Sequence, residues 1–207
     1  MASQAIDANS DTTRVLDKIS SAGFVAVGRY YSSNPAKRLN AAEAAAISAA
    51  DLEIFTVFEN SAKPALNHNS GVHDATIALQ QAHEVKQPAG SAIYFALDSE
   101  LGNHDLAAVR DYFKGISDTV AGTYKLGVYG DGVICQALLD DGTCKFAWLS
   151  ASRGFPGSKD FFNSKHWALA QSPKIDQKFH GLSIDVNDIN GDFGAFQVAA
   201  QPLAALT

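Results

Sequence analysis

Residues 24–60 read FVAVGRYYSSNPAKRLNAAEAAAISAADLEIFTVFEN, and in them a strand, a helix and a second strand follow one another. Phe24–Tyr31 and Glu53–Asn60 are short apolar runs rich in aromatic and β-branched residues, bounded by Gly, Ser, Asp or Asn. Between them, Ala41–Ala50 is built mainly of the best helix former, and Asn40 followed three residues later by Glu43 gives a capping-box-like start. A strand–helix–strand unit of this kind is a crossover between parallel strands.

The same alternation continues in both directions. Further strands are expected at Gln4–Ala8, Ser91–Glu100, Lys125–Gly130, Lys145–Ala151, His166–Ser172 and Leu182–Asp188. Helices are expected at Thr12–Ala22, Val72–Val85, Leu106–Val120 and Gly132–Leu139, with weaker ones near Lys159–Asn163 and Phe193–Ala200. Gly23 and Gly122 stand where glycines end the first and fourth helices. Eight strands in βα alternation predict an α/β fold, a single compact (β/α)8 TIM-type barrel over residues 1–207. At least one βα unit must be degenerate, because Ser172–Leu182 is too short for a full helix. The alternative is a doubly wound open sheet. It lacks its usual Gly-rich turn, since Asp7–Ala8–Asn9–Ser10–Asp11 follows the first strand.

Composition narrows the function. The 207 residues carry 22 acidic and 16 basic side chains, a net charge of −6, which supplies no basic stripe for nucleic acid or an anionic membrane. No apolar run approaches a membrane span, and MASQAIDANSD has no signal-peptide character. Neither nucleic acid nor membrane is expected as a partner, and a monomer is expected. Two cysteines, Cys135 and Cys144, are too few for a four-cysteine zinc site and are either buried thiols or one small-loop disulfide. The six histidines show no metal-binding spacing, and there is no Gly-x-Ser-x-Gly elbow or phosphate loop. No metal or cofactor is expected.

In a parallel barrel the chemistry stands at the C-terminal ends of strands. Those ends carry Asp7, Arg29 with Tyr30, Glu59, Asp98 with Glu100, Tyr129, Trp148, Gln171, and Asp185 with Asn187. A lone strand-terminal Asp is usually a helix cap. Several carboxylates on one rim repel one another, which a purely structural rim would avoid. Asp98 and Glu100 face the same side of their strand with Cα atoms about 7 Å apart, so one should hold its proton near neutrality, as a general acid for glycosidic cleavage must. Tyr30, Tyr31, Tyr129 and Trp148 offer flat rings for the apolar face of a sugar, or else pack the core; Trp167, early in its strand, is read as packing. Arg29 either pairs with Asp7 or Glu59 or contacts substrate.

Five segments carry a family resemblance: Ile6–Asp7, Gly28–Arg29–Tyr30–Tyr31, Ile93–Tyr94–Phe95–Ala96–Leu97–Asp98, Gly127–Val128–Tyr129–Gly130, and Gly181–Leu182–Ser183–Ile184–Asp185–Val186–Asn187. In order and spacing they resemble the glycoside-hydrolase-like barrel domains, which are similar in turn to the family 25 glycoside hydrolases, lysozymes that cut peptidoglycan. The resemblance implies Glu100 as proton donor and Asp98 as the carboxylate that stabilises an oxazolinium formed by the substrate's own acetamido group. It also implies Asp7 and Asp185 as acids lining the same pocket. The opening Ala5–Ile6–Asp7 departs from the commoner Gly-Phe-Asp or Gly-Ile-Asp but keeps the carboxylate.

The expected substrate is therefore a polysaccharide of N-acetyl sugars, peptidoglycan foremost. The rival class is a barrel that binds cell-wall glycan without turnover. A small-metabolite enzyme ranks last, because Gln171–Lys178 and Asp185–Asp192 offer no amide cradle for a phosphate. A cell-wall substrate would require signal-independent export or a leader already removed.

Overall fold

A computed structural model of the chain describes residues 3–61, 63–97 and 106–199. The elements run β1 Gln4–Asp7, a 3-10 turn and α1 Leu16–Ser21, β2 Ala26–Tyr31, α2 Ala41–Ala49, β3 Glu53–Phe58, α3 His68–Glu84, β4 Ala92–Ala96 and α4 Leu106–Val120. They continue as β5 Lys125–Gly130, α5 Gly132–Asp140, β6 Phe146–Leu149, α6 Ser158–Ser164, β7 Leu169–Gln171, β8 Gln177–Phe179 and β9 Leu182–Ile189. Strands β1 to β7 pair in sequence, all parallel, and β9 closes the ring by pairing with both β7 and β1. The result is a TIM-type barrel of eight strands with β8 outside it.

The closing strand departs from the regular pattern. β9 runs antiparallel to β7 and to β1, with Asp185 opposite Asp7. Only ten residues separate Gln171 from Leu182, fewer than a parallel crossover needs. The degenerate seventh unit is a hairpin instead of a helix. β8 and β9 are joined by His180 and Gly181, both at positive φ (48° and 84°), the backbone of a tight two-residue hairpin turn.

The barrel interior is filled by large rings from some strands against small residues on others. Phe55, Tyr94, Phe146 and Trp148 are buried there beside Ala5, Ala26, Ala92 and Ala168. Gly28 and Gly127 are part of this arrangement: a Cβ on Gly28 would lie 2.4 Å from the Phe55 ring, and one on Gly127 2.4 Å from the Tyr94 ring. The second, larger core lies between the strands and the helices and includes Ile19, Ile47, Ile93, Phe113 and Ile134.

Three expectations are corrected. The helix expected over Phe193–Ala200 does not form in the described residues 193–199. Phe193 enters the barrel interior, Gly194 is left-handed (φ 71°), and the backbone pairs with Ala92 and Ile54. α3 begins at His68, four residues earlier than expected, because Asn67 caps it by accepting from the Ser70 N–H. In α2, Asn40 does cap the Glu43 N–H, but the Glu43 carboxylate turns away to other partners. Cys135 and Cys144 are both buried free thiols.

Candidate active site

At the C-terminal rim, side chains of β2 to β7, of β9 and of the loops after β1, β2 and β3 bound a cavity of about 190 Å³. Its walls include Tyr30, Glu59, Tyr129, Trp148, Gln171 and Asp185, all expected from strand-end position, and also Asn9, Lys37, Val57 and Ala96. A second cavity of about 300 Å³ adjoins it across Glu59 and Ala96. The flank between α6 and the β8–β9 hairpin has a larger hollow of about 630 Å³, lined by Asp188 but by none of Asp7, Glu59 and Asp185.

Two hydrogen-bonded chains organise the rim. In the first, Tyr30 Oη donates to Asp7 Oδ1 (3.1 Å), Asn187 Nδ2 donates to Asp7 Oδ2 (2.8 Å), and Trp148 Nε1 donates to Asn187 Oδ1 (2.7 Å). In the second, Tyr129 Oη donates to Gln171 Oε1 (2.8 Å) and Gln171 Nε2 donates to Asp185 Oδ2 (2.8 Å), while the Asp176 N–H holds Asp185 Oδ1 (2.6 Å). The Tyr129 and Trp148 rings meet edge to face at 4.8 Å, which ties the two chains together.

The acids differ in character. Asp7 is almost wholly buried, and burial pushes its carboxyl up to about 7. The Asn187 and Tyr30 hydrogen bonds oppose that rise, and the negative charges of Asp185 and Glu59 add to it. Asp185, half-buried, is raised from the ordinary carboxylate range chiefly by desolvation, against which the Asp176 N–H acts. Glu59 is paired with Lys37 (2.6 Å), whose ammonium also lies 4.2 Å from the centre of the Tyr30 ring.

Arg29 is a correction. It shares the strand end with Tyr30 but faces the helix layer, fully buried, and pairs with Glu43 of α2, not with Asp7 or Glu59. Its Nη1 donates to the Ala8 carbonyl. A substrate cannot reach it. Trp148, only 1% exposed, lines the cavity, and Asn187, 0% exposed, lies behind it bonded to Trp148 and Asp7; Tyr31 is buried away from the cavity and donates to Gln87 Oε1 (2.6 Å). Asp98 and Glu100 lie outside the described residues; they follow the cavity residue Ala96 by two and four positions in the chain. Strand-end reading missed Asn9 and Lys37 because both stand on βα loops beyond their strands. Among the described residues, no group of three or more His, Cys, Asp or Glu could hold a metal ion.

The family model of the Rv2525c-like, glycoside hydrolase-like domain matches residues 17–198. The chain belongs to this family. Two curated relatives come from Bacillus subtilis (strain 168). FadG is 28% identical over 171 residues, covering 77% of this chain and 30% of that protein. YbfG is 26% identical over 198 residues, covering 85% and 27%. The chain thus spans less than a third of the length of either. Among solved structures, the Tat-secreted protein Rv2525c of Mycobacterium tuberculosis, in complex with L-tartrate, superposes with a TM-score of 0.82 at 21% identity, over 94% of this chain and 99% of that one. A muramidase from Trichobolus zukalii gives 0.60 at 12% identity over 93% and 95%. The modular autolysin LytC of Streptococcus pneumoniae, in complex with a synthetic peptidoglycan ligand, gives 0.58 at 12% identity over 90% and 46%. The Rv2525c-like domain therefore shares its barrel with lysozyme-type proteins.

Proposed function

We propose that the rim cavity binds a glycan of N-acetyl sugars, peptidoglycan foremost, and that the domain hydrolyses it. The observation that carries this reading is the cavity itself, in which Glu59 and Asp185 stand among the rings of Tyr30, Tyr129 and Trp148 at the end of the barrel where such chemistry resides. The family and the muramidase and autolysin folds support the substrate class.

In this reading Glu100 gives its proton to the glycosidic oxygen as the bond to C1 breaks. The carbonyl oxygen of the substrate's own acetamido group bonds to C1, and Asp98 stabilises the resulting oxazolinium. Water then bonds to C1 as the oxazolinium O–C1 bond breaks and the acetamido group is restored, and the water's proton goes to Glu100. No protein nucleophile is required. The test is muropeptide release from purified cell walls, with pull-down on the same walls. The wild type releases fragments, and Glu100→Gln loses at least about 100-fold of that rate while still binding. A wild type that binds walls but releases no more than Glu100→Gln is a binding module, and the hydrolase reading fails.

A further inference from the structure

Asp7, Asn187 and Trp148 stand on three strands, β1, β9 and β6, and interlock just inside the rim. An indole N–H can only donate. The Asn187 amide oxygen must therefore face Trp148, and its NH2 must face Asp7. The second amide hydrogen is directed to the Asp185 backbone carbonyl (3.4 Å). Turned over, the amide would set donor against donor at Trp148 and oxygen against oxygen at Asp7, both in a site from which water is excluded.

We propose that Trp148 acts through Asn187 as a positioning residue for Asp7, locking Oδ2 as a permanent acceptor and leaving Oδ1, on the Tyr30 side, as the only oxygen that takes up or releases a proton. Tyr30 suits this role, because its hydroxyl donates to the carboxylate and rotates to accept from the acid. Tyr30 also lines the cavity, so the exchanging proton sits next to the space a ligand would fill. Among the described residues, the charged and titratable groups facing Asp7 are Asp185 on β9, Glu59 after β3 with its partner Lys37, and Tyr30 on β2, which in turn senses Tyr129. Arg29 faces the other way and pairs with Glu43. With Asp7 raised to about 7, both protonation states are present near neutral pH. The relay holds whether or not the glycan is cleaved.

Nuclear magnetic resonance of the full chain tests it. In the wild type, the Asp7 carboxyl carbon, the Asn187 side-chain amide protons and the Trp148 indole proton should titrate with one midpoint near neutrality. The Trp167 indole, which donates to the Phe162 carbonyl, should stay flat. In Trp148→Phe the amide is released to present its oxygen, and the Asp7 midpoint should rise by about one pH unit, a tenfold gain in proton affinity. An unchanged midpoint in a folded Trp148→Phe protein overturns the relay. Should that variant fail to fold, Asn187 and Trp148 signals that stay flat through the Asp7 titration in the wild type overturn it equally. Neither readout involves glycan release, so a failed relay and a failed hydrolase reading give different results.

Discussion

Arg29 of β2 and Glu43 of α2 form a two-pronged ion pair inside the protein, Nε to Oε1 at 2.7 Å and Nη2 to Oε2 at 3.1 Å, with both side chains essentially inaccessible to solvent. Glu43 Oε1 also accepts from the N–H (2.8 Å) and hydroxyl (2.9 Å) of Thr12, so the pair fixes β2, α2 and the β1–α1 loop together. Removing one partner leaves a buried charge without compensation. Glu43→Ala should therefore lower unfolding free energy by about 3–5 kcal/mol. The double variant Arg29→Met, Glu43→Leu should regain most of that loss. Urea denaturation of the three proteins checks both statements.

Gly71 on α3 and Gly115 on α4 let the two helices touch backbone to backbone. A Cβ at Gly71 would lie 2.0 Å from the Tyr112 carbonyl oxygen, and one at Gly115 2.1 Å from the His68 carbonyl oxygen. In an open helix Gly→Ala gains about 1 kcal/mol from propensity. Here the overpacking cost of about 1–3 kcal/mol or more exceeds that gain, because the obstacle is backbone and cannot rotate aside. Gly71→Ala should lower the melting temperature, as calorimetry would show.

Much of this architecture was legible because strands and helices mark their own ends. The cap at Asn40 and the break at Gly23 located elements to within a few residues, and strand-end position picked out six of the cavity's side chains. Direction was harder to read, since the period-2 pattern of Leu182–Asp188 is the same whichever way the strand runs. The short span before it and the His180–Gly181 pair carried the hairpin signal. The Arg29 partner was hidden for another reason. Glu43 reads as half of a capping box, and only the packing of α2 on β2 turns its carboxylate inward. Trp148 stands near the end of β6 as expected, but Asn187 does not mark a strand end at the rim: β9 runs antiparallel, and its pairing with Ala5 sets Asn187 deeper than Asp185, where burial makes it a support for Asp7.

Gln171 couples Tyr129 to Asp185, accepting from the tyrosine and the Ala151 N–H with Oε1 and donating to the aspartate with Nε2. Gln171→Glu keeps the accepting oxygen and so the local fold. It removes the donor from Asp185 and places a second negative charge beside it. The Asp185 carboxyl should move further up, by about one pH unit or more, as carbon-detected titration would show. On the glycan reading, calorimetry at pH 7 with a chitooligosaccharide should show affinity reduced about tenfold or more, the cost of one lost charge-assisted hydrogen bond.

Asp7 makes stability depend on pH with a defined sign. Its carboxyl is raised from 3.8 to about 7 on folding, so the folded state keeps a proton that the unfolded chain releases. Below about pH 4 both states are protonated and the group contributes nothing. Between about pH 4 and 7 it costs the folded state about 1.4 kcal/mol for each pH unit, and above 7 the cost is constant. Asp7→Asn should abolish that slope. An amide fits the same partners, since its oxygen accepts from Asn187 and its NH2 donates to Tyr30. The variant should match the wild type near pH 4 and become progressively more stable up to pH 7, with a constant lead beyond. Urea midpoints measured from pH 4 to 8 decide the matter, and parallel curves for the two proteins would show that Asp7 carries no raised carboxyl.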